Sequence, residues 1–295
     1  MKRFLKHSVL FSIPVLGYLV TVWWHPVAQE QQWNRITGNC SKSACIYHLT
    51  EQNQAPIDVA FIGTSRTMNA VNDTLLSQVW GLNVINLGYC RPGRNVHFEI
   101  VRMLLEKHKP KALFVEVNQE EDWYGHFDYG NVASTHDVLW SVNSRNPKYF
   151  RDVKRNFIMK YDLFQNTVRN ESYASENCTQ GFGNILQPGQ ALNPVTYTDT
   201  NNASQVYASF YYLENLISLA QKSGCKIYFH YLPALGLVNY DPHHLAYYQS
   251  YGPVIFPPSD LEKKELWADN SHIIPEGAMI YSTYLAQNIS PELFK

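Results

Sequence analysis

Four short, mostly apolar segments limit the fold of this chain more than any other feature of its sequence. They are bounded by glycine, proline or polar residues and comprise Ile57–Ile62, Leu82–Leu87, Ala112–Val117 and Cys225–Leu232. Runs of about four to eight such residues are typical of strands that are buried on both faces. Stretches with helical character run from Val96 to His108, from Val206 to Lys222 and from about Pro275 to Ile289. This alternation predicts an α/β fold with a mostly parallel sheet covered by helices on both faces.

The N-terminus predicts a membrane anchor. Lys2, Arg3 and Lys6 precede an apolar run from Val9 to Trp24. The run exceeds the signal-peptide core of about 7–15 residues and falls just short of the roughly 17–25 of a spanning helix. Positive charges keep such an N-terminus in the cytoplasm. We expect residues 1–25 to be an uncleaved single-pass signal anchor, with cleavage after Ala28 as the alternative, and the rest of the chain to lie outside the cytoplasm, as in the periplasm.

Three further segments follow from composition. Residues 26–56 are polar and rich in glutamine, which indicates a juxtamembrane stalk, and residues 57–295 form the predicted globular domain. At about 119–204 the strand–helix rhythm lapses in a stretch rich in Asn, Ser, Tyr and Gly, which we interpret as an insertion over the sheet. Among five cysteines, Cys40 and Cys45 bracket a small polar loop and could close a disulfide, which fits an oxidising compartment.

The charge balance argues against nucleic acid as a partner. The 295 residues include 24 basic and 25 acidic ones, for a net charge of −1, and no basic run follows the first few positions. The electrostatic footprint of a nucleic-acid-binding protein is therefore missing. His243-His244 has no third ligand at helical spacing, so neither a metal site nor a cofactor is predicted.

Ser65 is the candidate nucleophile. It lies in Gly63-Thr-Ser-Arg66, directly after the first predicted strand. Ligands of open α/β sheets bind outside the carboxyl ends of strands, and a serine in the strand-to-helix turn is displayed there beside the first N–H groups of the helix. Serine and threonine are also ordinary helix caps, so the motif alone does not decide between catalysis and capping.

Asp269 and His272 form the candidate activating pair just before the last helix. A serine hydroxyl is a poor nucleophile until a base removes its proton, and a histidine does this best when a carboxylate fixes its tautomer. Residues three apart on one turn can meet directly. The placement of this pair near the C-terminus, with the serine at the end of the first strand, strengthens the interpretation.

This order of motifs resembles the SGNH (GDSL-like) hydrolase superfamily over about residues 57–290. The block from Asp269 through His272 to Gly277 is similar to the family's last motif. The Gly-Thr-Ser-Arg block and the N-terminal anchor resemble membrane-anchored envelope members, such as the alginate O-acetylation proteins and the teichoic acid D-alanyl transfer protein. The resemblance implies a three-layer sandwich of SGNH/flavodoxin-like type.

The resemblance also implies roles for individual residues. Ser65 would be the nucleophile, with Asp269 and His272 completing a catalytic triad. The oxyanion hole would consist of the Ser65 N–H, Gly93 or alternatively Gly88, and Asn118. Two blocks depart from the family: Gly-Thr-Ser-Arg stands in place of Gly-Asp-Ser, and Asn118 lacks the usual Gly-x-Asn-Asp context.

Other residues allow more than one interpretation. Arg66 could bind an anionic substrate, or serve as a cap or in a core salt bridge. His230 at the end of the fourth strand is more typical of a satisfied structural histidine. Adjacent carboxylates after the third strand, at residues 120–122, do not form the opposed pair that a glycosidase needs.

Together these features predict acyl transfer or ester hydrolysis through an acyl-Ser65 intermediate, on an extracytoplasmic glycan or envelope polymer. The family resemblance adds a multi-spanning membrane acyltransferase as a possible partner. Whether a sugar hydroxyl or water accepts the acyl group stays open. The alternatives are a non-catalytic binding or scaffold protein of the same fold, favoured by the altered Asn118 block, and a lipase or esterase of the superfamily.

Overall fold

The computed structural model describes residues 2–34, 36, 42–91, 93–121, 125–126, 128–169, 194–196 and 206–294. At its centre is a five-stranded sheet made of β1 (Val59–Ile62), β2 (Val84–Asn86), β3 (Ala112–Val117), β4 (Lys226–Tyr231) and β5 (Val254–Ile255). The strand order is β2-β1-β3-β4-β5, and every pair is parallel. The predicted α/β class with a parallel sheet is confirmed, and the four predicted strands are β1 to β4.

The described α-helices are α1 (Lys2–Trp24), α2 (Gln29–Asn34), α3 (Ser43–Tyr47), α4 (Ser65–Ala70), α5 (Asp73–Trp80), α6 (Arg94–Lys107), α7 (Tyr129–Val132), α8 (Thr135–Trp140), α9 (Tyr149–Arg169), α10 (Tyr207–Lys222), α11 (Leu245–Gln249) and α12 (Pro275–Asn288). A π-helical turn spans His48–Gln52, and 3₁₀ turns span Ser141–Ser144, Ser259–Glu262, Lys264–Leu266 and Pro291–Phe294. Helices α6, α10 and α12 match the predicted ones to within two residues at each end.

The side chains along each strand point alternately to the two faces of the sheet, which divides the core into two layers. On β3, Leu113 and Val115 pack towards α6 and α10, whereas Phe114 packs towards α5 and α12. Successive side chains of a strand point to opposite faces, so one fully apolar strand supplies both layers. The result is three layers, with helices on each side of the sheet. On the α12 side, the rings of Phe61 and Tyr228 stack on Phe114 at centroid distances of 4.5 and 4.9 Å.

The segment predicted as a stalk contributes to the core in its described part. Trp33, Ile46 and Leu49 are buried in the layer that contains α6. They are isolated apolar residues in a polar stretch, so the composition of the segment does not predict that they are buried. In the predicted insertion, the described residues form α7, α8 and α9, and residues 170–193 and 197–205 lie outside the described part of the chain.

The N-terminal run predicted as an anchor forms helix α1. Its C-terminal end contacts α9, where the Trp23 indole donates to Asn156 Oδ1 at 3.2 Å and the Tyr18 ring meets Phe164 edge-on. The predicted transmembrane helix is not found, because no helix in the described ranges combines the length and the apolar character needed to cross a membrane.

Candidate active site

A cleft of about 560 Å³ opens at the carboxyl ends of the strands. It is lined by Thr64, Ser65, Arg66, Arg91, Asn118, Gln119, Glu120, Val195, Thr196, Ala234, Leu237, Ser271 and His272. The first three residues follow β1, the stretch from Asn118 to Glu120 follows β3, and Ala234 and Leu237 follow β4. This is the edge at which parallel α/β sheets bind ligands.

The strand-to-helix turn presents Ser65 as the first residue of α4. Thr64 is the N-cap, and its hydroxyl accepts the backbone N–H of Arg66 at 3.1 Å. Gly63 allows the turn to lie close to the sheet, because a Cβ at this position would lie 1.9 Å from Thr67 Oγ1 and 2.4 Å from Glu116 Oε2. Only glycine allows the turn to lie this close to Thr67 and Glu116.

The structure brings Ser65, His272 and Asp269 together. Ser65 Oγ lies 2.7 Å from His272 Nε2, and His272 Nδ1 lies 2.8 Å from Asp269 Oδ2. An ionised carboxylate can only accept, so Nδ1 carries a proton, and in the neutral imidazole Nε2 then presents its lone pair to the Ser65 hydroxyl. This is the tautomer that a general base for serine requires.

Asp269 is held in the same turn as its histidine. Its Oδ1 accepts the backbone N–H groups of Ser271 at 2.7 Å and His272 at 2.9 Å. Partial burial by itself would raise the pKa of Asp269, but the hydrogen bonds from His272 and the Ser271 N–H outweigh burial and lower the pKa. Asp269 therefore stays ionised and can stabilise an imidazolium on His272.

Beneath the Ser65 turn, the carboxylate of Glu116 on β3 collects four hydrogen bonds. It accepts the N–H and hydroxyl of Thr64, both at 2.8 Å, and the N–H and hydroxyl of Thr67, at 3.0 and 2.5 Å. Burial would raise the pKa of Glu116, but the bonds from Thr67 and Thr64 and the positive charge of Arg66 lower it to about 2. An ionised carboxylate thus holds the turn in place from inside the fold.

These contacts leave the N–H of Ser65 as the available donor of the turn. The N–H groups of Thr64 and Thr67 go to Glu116, and that of Arg66 goes to the Thr64 hydroxyl. Within the described residues, the Ser65 N–H has no acceptor. A backbone donor without a partner beside the Ser65 hydroxyl could stabilise an oxyanion.

Of the other residues predicted for the oxyanion hole, Asn118 lies at the cleft and the two glycines do not. Asn118 lines the cleft. Gly93 is the N-cap of α6 with φ of +152° and packs against the backbone of His126, and it is not among the residues that line the cleft. The N–H of Gly88 is already donated to Asn86 Oδ1 at 2.9 Å. Instead of either glycine, the loop after β2 contributes Arg91 to the cleft.

Arg66 is directed at protein atoms around the cleft. Its Nη1 donates to Asn118 Oδ1 at 3.0 Å and to the carbonyl oxygen of Leu232 at 2.8 Å, and Nη2 lies 3.4 Å from Ser271 Oγ. It therefore joins the ends of β1, β3 and β4 to the loop that carries His272. The sequence did not indicate these contacts.

Two buried polar residues near the site were not predicted as part of it. From the sequence, Glu116 is predicted only as one residue of a buried strand, and His230 as a structural histidine. His230 lies 3.4 Å from Thr67 Oγ1 through Nε2 and 3.3 Å from the Tyr281 hydroxyl through Nδ1. The signal in the sequence was a charged or polar residue inside an otherwise apolar strand, since such residues need partners when buried.

No protein-family model matches this chain, and no curated protein matches it significantly. The geometry of the cleft and the general chemistry of its residues therefore carry the functional interpretation.

Proposed function

We propose that the chain catalyses acyl transfer or ester hydrolysis through an acyl-Ser65 intermediate, as expected of an SGNH-type enzyme. The observation that carries this proposal is the continuous relay from Asp269 through His272 to Ser65, with distances of 2.8 and 2.7 Å. Since this relay opens into a cleft of about 560 Å³, a substrate of sugar-unit size can reach the hydroxyl.

In the first half-reaction Ser65 Oγ attacks the acyl carbonyl carbon while its proton passes to His272 Nε2. The carbonyl oxygen becomes an oxyanion, which the Ser65 N–H and the Asn118 side chain stabilise. The C–O bond to the leaving alcohol then breaks, and the alcohol oxygen takes the proton from His272. In the second half-reaction His272 deprotonates water or an acceptor hydroxyl, which attacks the acyl carbon. The bond from that carbon to Ser65 Oγ then breaks, and Oγ takes the proton back from His272 Nε2.

For the substrate, we propose an acylated glycan or envelope polymer. Most of the residues that line the cleft carry polar side chains, Thr64, Asn118 and Gln119 among them, which can bind a hydroxyl-rich ligand. A membrane acyltransferase that supplies the acyl group remains part of this proposal through the family resemblance alone.

For the location, we propose that α1 holds the chain at a membrane with the remainder outside the cytoplasm. Large apolar side chains are exposed along α1, among them Phe11, Leu16 and Val20. Cys45 and Cys90 are each disulfide-bonded, which is typical of oxidising compartments. Full-length chain that remains in the membrane pellet after alkaline extraction would support this location, and complete release would contradict it.

The function is tested with the purified full-length chain and p-nitrophenyl acetate. We expect p-nitrophenol release and a single acetyl group on the peptide that contains Ser65, and we expect both to be lost in Ser65→Ala. Ser250→Ala is the matched control, since this serine is the exposed C-cap of α11 and its hydroxyl, among the residues that the structure describes, bonds only the Tyr247 carbonyl. A folded wild-type chain that neither turns over nor is acylated would refute the proposal.

A further inference from the structure

The guanidinium of Arg66 is occupied by acceptors of the protein itself. Asn118 Oδ1 and the Leu232 carbonyl share Nη1 at 3.0 and 2.8 Å, and Ser271 Oγ lies 3.4 Å from Nη2. A substrate anion would have to compete with these bonds. The side chain that follows Ser65 therefore contacts its protein neighbours through Nη1 whether or not a ligand is bound.

The bond to Asn118 has a consequence for the direction of that amide. A guanidinium has only donors, so the Asn118 atom that faces Arg66 is the acceptor Oδ1. The planar amide then directs its other end, the Nδ2 donors, away from Arg66. Among the described residues Nδ2 has no acceptor, and Asn118 lines the cleft.

We propose that Arg66 is a positioning residue, which fixes the Asn118 amide so that Nδ2 rather than Oδ1 faces the oxyanion. This inference rests on the proposed acyl-transfer function and deepens it. Without Arg66 the amide can rotate, and in half of its orientations it would present a lone pair to the developing negative charge. The hydrogen bond to the Leu232 carbonyl fixes the position of the guanidinium, because Leu232 directly follows β4 and its backbone is held by the sheet.

This role differs measurably from anion binding. A group that acts only in the transition state changes kcat with little effect on KM, whereas a group that binds a substrate charge changes KM. Removing one oxyanion donor costs about 10²–10³ in kcat. We expect Asn118→Ala to lose about that much, and Arg66→Gln to lose about 10-fold or more by misorienting the same donor.

The test is a double-mutant cycle on full-length chain, with a neutral acetyl ester and an anionic succinyl ester of p-nitrophenol. The variants are Arg66→Gln, Asn118→Ala and the two combined. We expect Arg66→Gln to lower kcat equally for both esters, and to cost almost nothing further in the Asn118→Ala background. Arg66→Lys should recover part of the loss, because an ammonium also turns Oδ1 towards itself.

Arg102→Gln is the matched control for loss of a hydrogen-bonded arginine. Arg102 bonds the buried carboxylate of Glu99 and the exposed carboxylate of Glu106 on α6, and it does not line the cleft. Each variant is first compared with wild type by near-UV circular dichroism, and Arg66→Met, which keeps the aliphatic stem but has no donor, replaces Arg66→Gln in the cycle if the latter does not fold.

Three results would overturn the inference: a KM increase confined to the anionic ester, losses that multiply in the double variant, or an Arg66→Gln variant with wild-type kcat. All three require an active wild type. An inert wild type that is not acylated on Ser65 would instead refute the proposed function, and the role of Arg66 with it.

Discussion

Glu116 and His230 occupy paired positions on neighbouring strands β3 and β4, and both are fully buried beneath the turn that presents Ser65. Thr67 lies between them, since its hydroxyl donates to the carboxylate and lies 3.4 Å from the imidazole. Burial keeps the imidazole neutral by lowering the pKa of His230 to about 4, while hydrogen bonds keep Glu116 ionised. The turn that contains Ser65 is thus held by hydrogen bonds to one buried charge, the carboxylate of Glu116.

Glu116→Gln tests this support. A neutral amide cannot accept all four donors, so at least one N–H or hydroxyl of Thr64 or Thr67 loses its partner. We expect unfolding free energy to fall by about 1–3 kcal/mol in urea titrations, and kcat to fall because the Ser65 turn is less rigid. Glu106→Gln is the control, because Glu106 is half-exposed on α6 and a surface ion pair contributes about 0–1 kcal/mol. Equal stability of the two variants would contradict the support role.

The buried histidine predicts a dependence of stability on pH. The folded-state pKa of His230, about 4, lies below the ordinary value of 6.5, so between these pH values the unfolded chain binds the proton and the folded chain does not. The contribution of His230 to stability therefore falls as pH drops from 6.5 towards 4, whereas Glu99 and Asp152, whose pKa values burial raises to about 7 and about 6, contribute in the opposite direction. His97 and His126, with pKa values lowered by burial to about 3 and 4, add to the same loss.

The variant His230→Gln isolates the contribution of His230 to the pH dependence of the unfolding free energy. Between pH 6.5 and 5, the dependence of unfolding free energy on pH should decrease by about one proton, or about 1.4 kcal/mol per pH unit. Glu116 does not interfere, since its lowered pKa acts only below its ordinary value of 4.5. The measurement is a series of urea unfolding curves at closely spaced pH, and an unchanged slope would show that folding does not lower the pKa of His230.

Asp269→Asn tests the relay from its outer end. The amide keeps the shape of the side chain, but it neither stabilises the imidazolium nor enforces a proton on Nδ1. We expect kcat for p-nitrophenyl acetate to fall by about 10²–10⁴ with little change in KM. Asp260→Asn is the control, because Asp260 also pairs with a residue three positions on, Lys263 at 2.9 Å, and is exposed. Comparable activity of the two variants would remove Asp269 from the mechanism.

The parts of the fold that were predictable have signals confined to a few consecutive residues. Strands β1 to β4 are mostly apolar runs that the sequence predicts, whereas their register is known only from the structure. Strand β5, Val254–Ile255, is too short to show any periodicity. Trp33 is buried although its surroundings are polar, because tertiary contacts rather than local pattern decide its position.

The same division applies to the site. Asp269 and His272 were predictable as a pair because one turn joins them, and Ser65 because it follows a strand. Arg66 and Asn118 are 52 residues apart, and their contact exists only because β1 and β3 are neighbours. Sequence spacing does not reveal such a bond. The sequence therefore leaves open whether Arg66 binds an anionic substrate or has a structural role as a cap or in a salt bridge.

Gly63→Ala tests how closely the nucleophile turn approaches β3. The added methyl group would lie 1.9 Å from Thr67 Oγ1 and 2.4 Å from Glu116 Oε2, distances at which one of these side chains must move. Moving either breaks hydrogen bonds to a buried carboxylate, which costs about 1–3 kcal/mol for each polar group left without a partner. We expect a lower urea midpoint and loss of most esterase activity.

Gly17→Ala on α1 is the matched control, because no atom lies within 4 Å of the added methyl group and alanine favours a helix by about 1 kcal/mol. This variant should match wild type in activity and be no less stable. If Gly63→Ala behaved like Gly17→Ala, the turn could shift away from Glu116 without consequence for Ser65. The buried carboxylate would then be a contributor to folding alone, and the geometry of the nucleophile would depend on other contacts of α4.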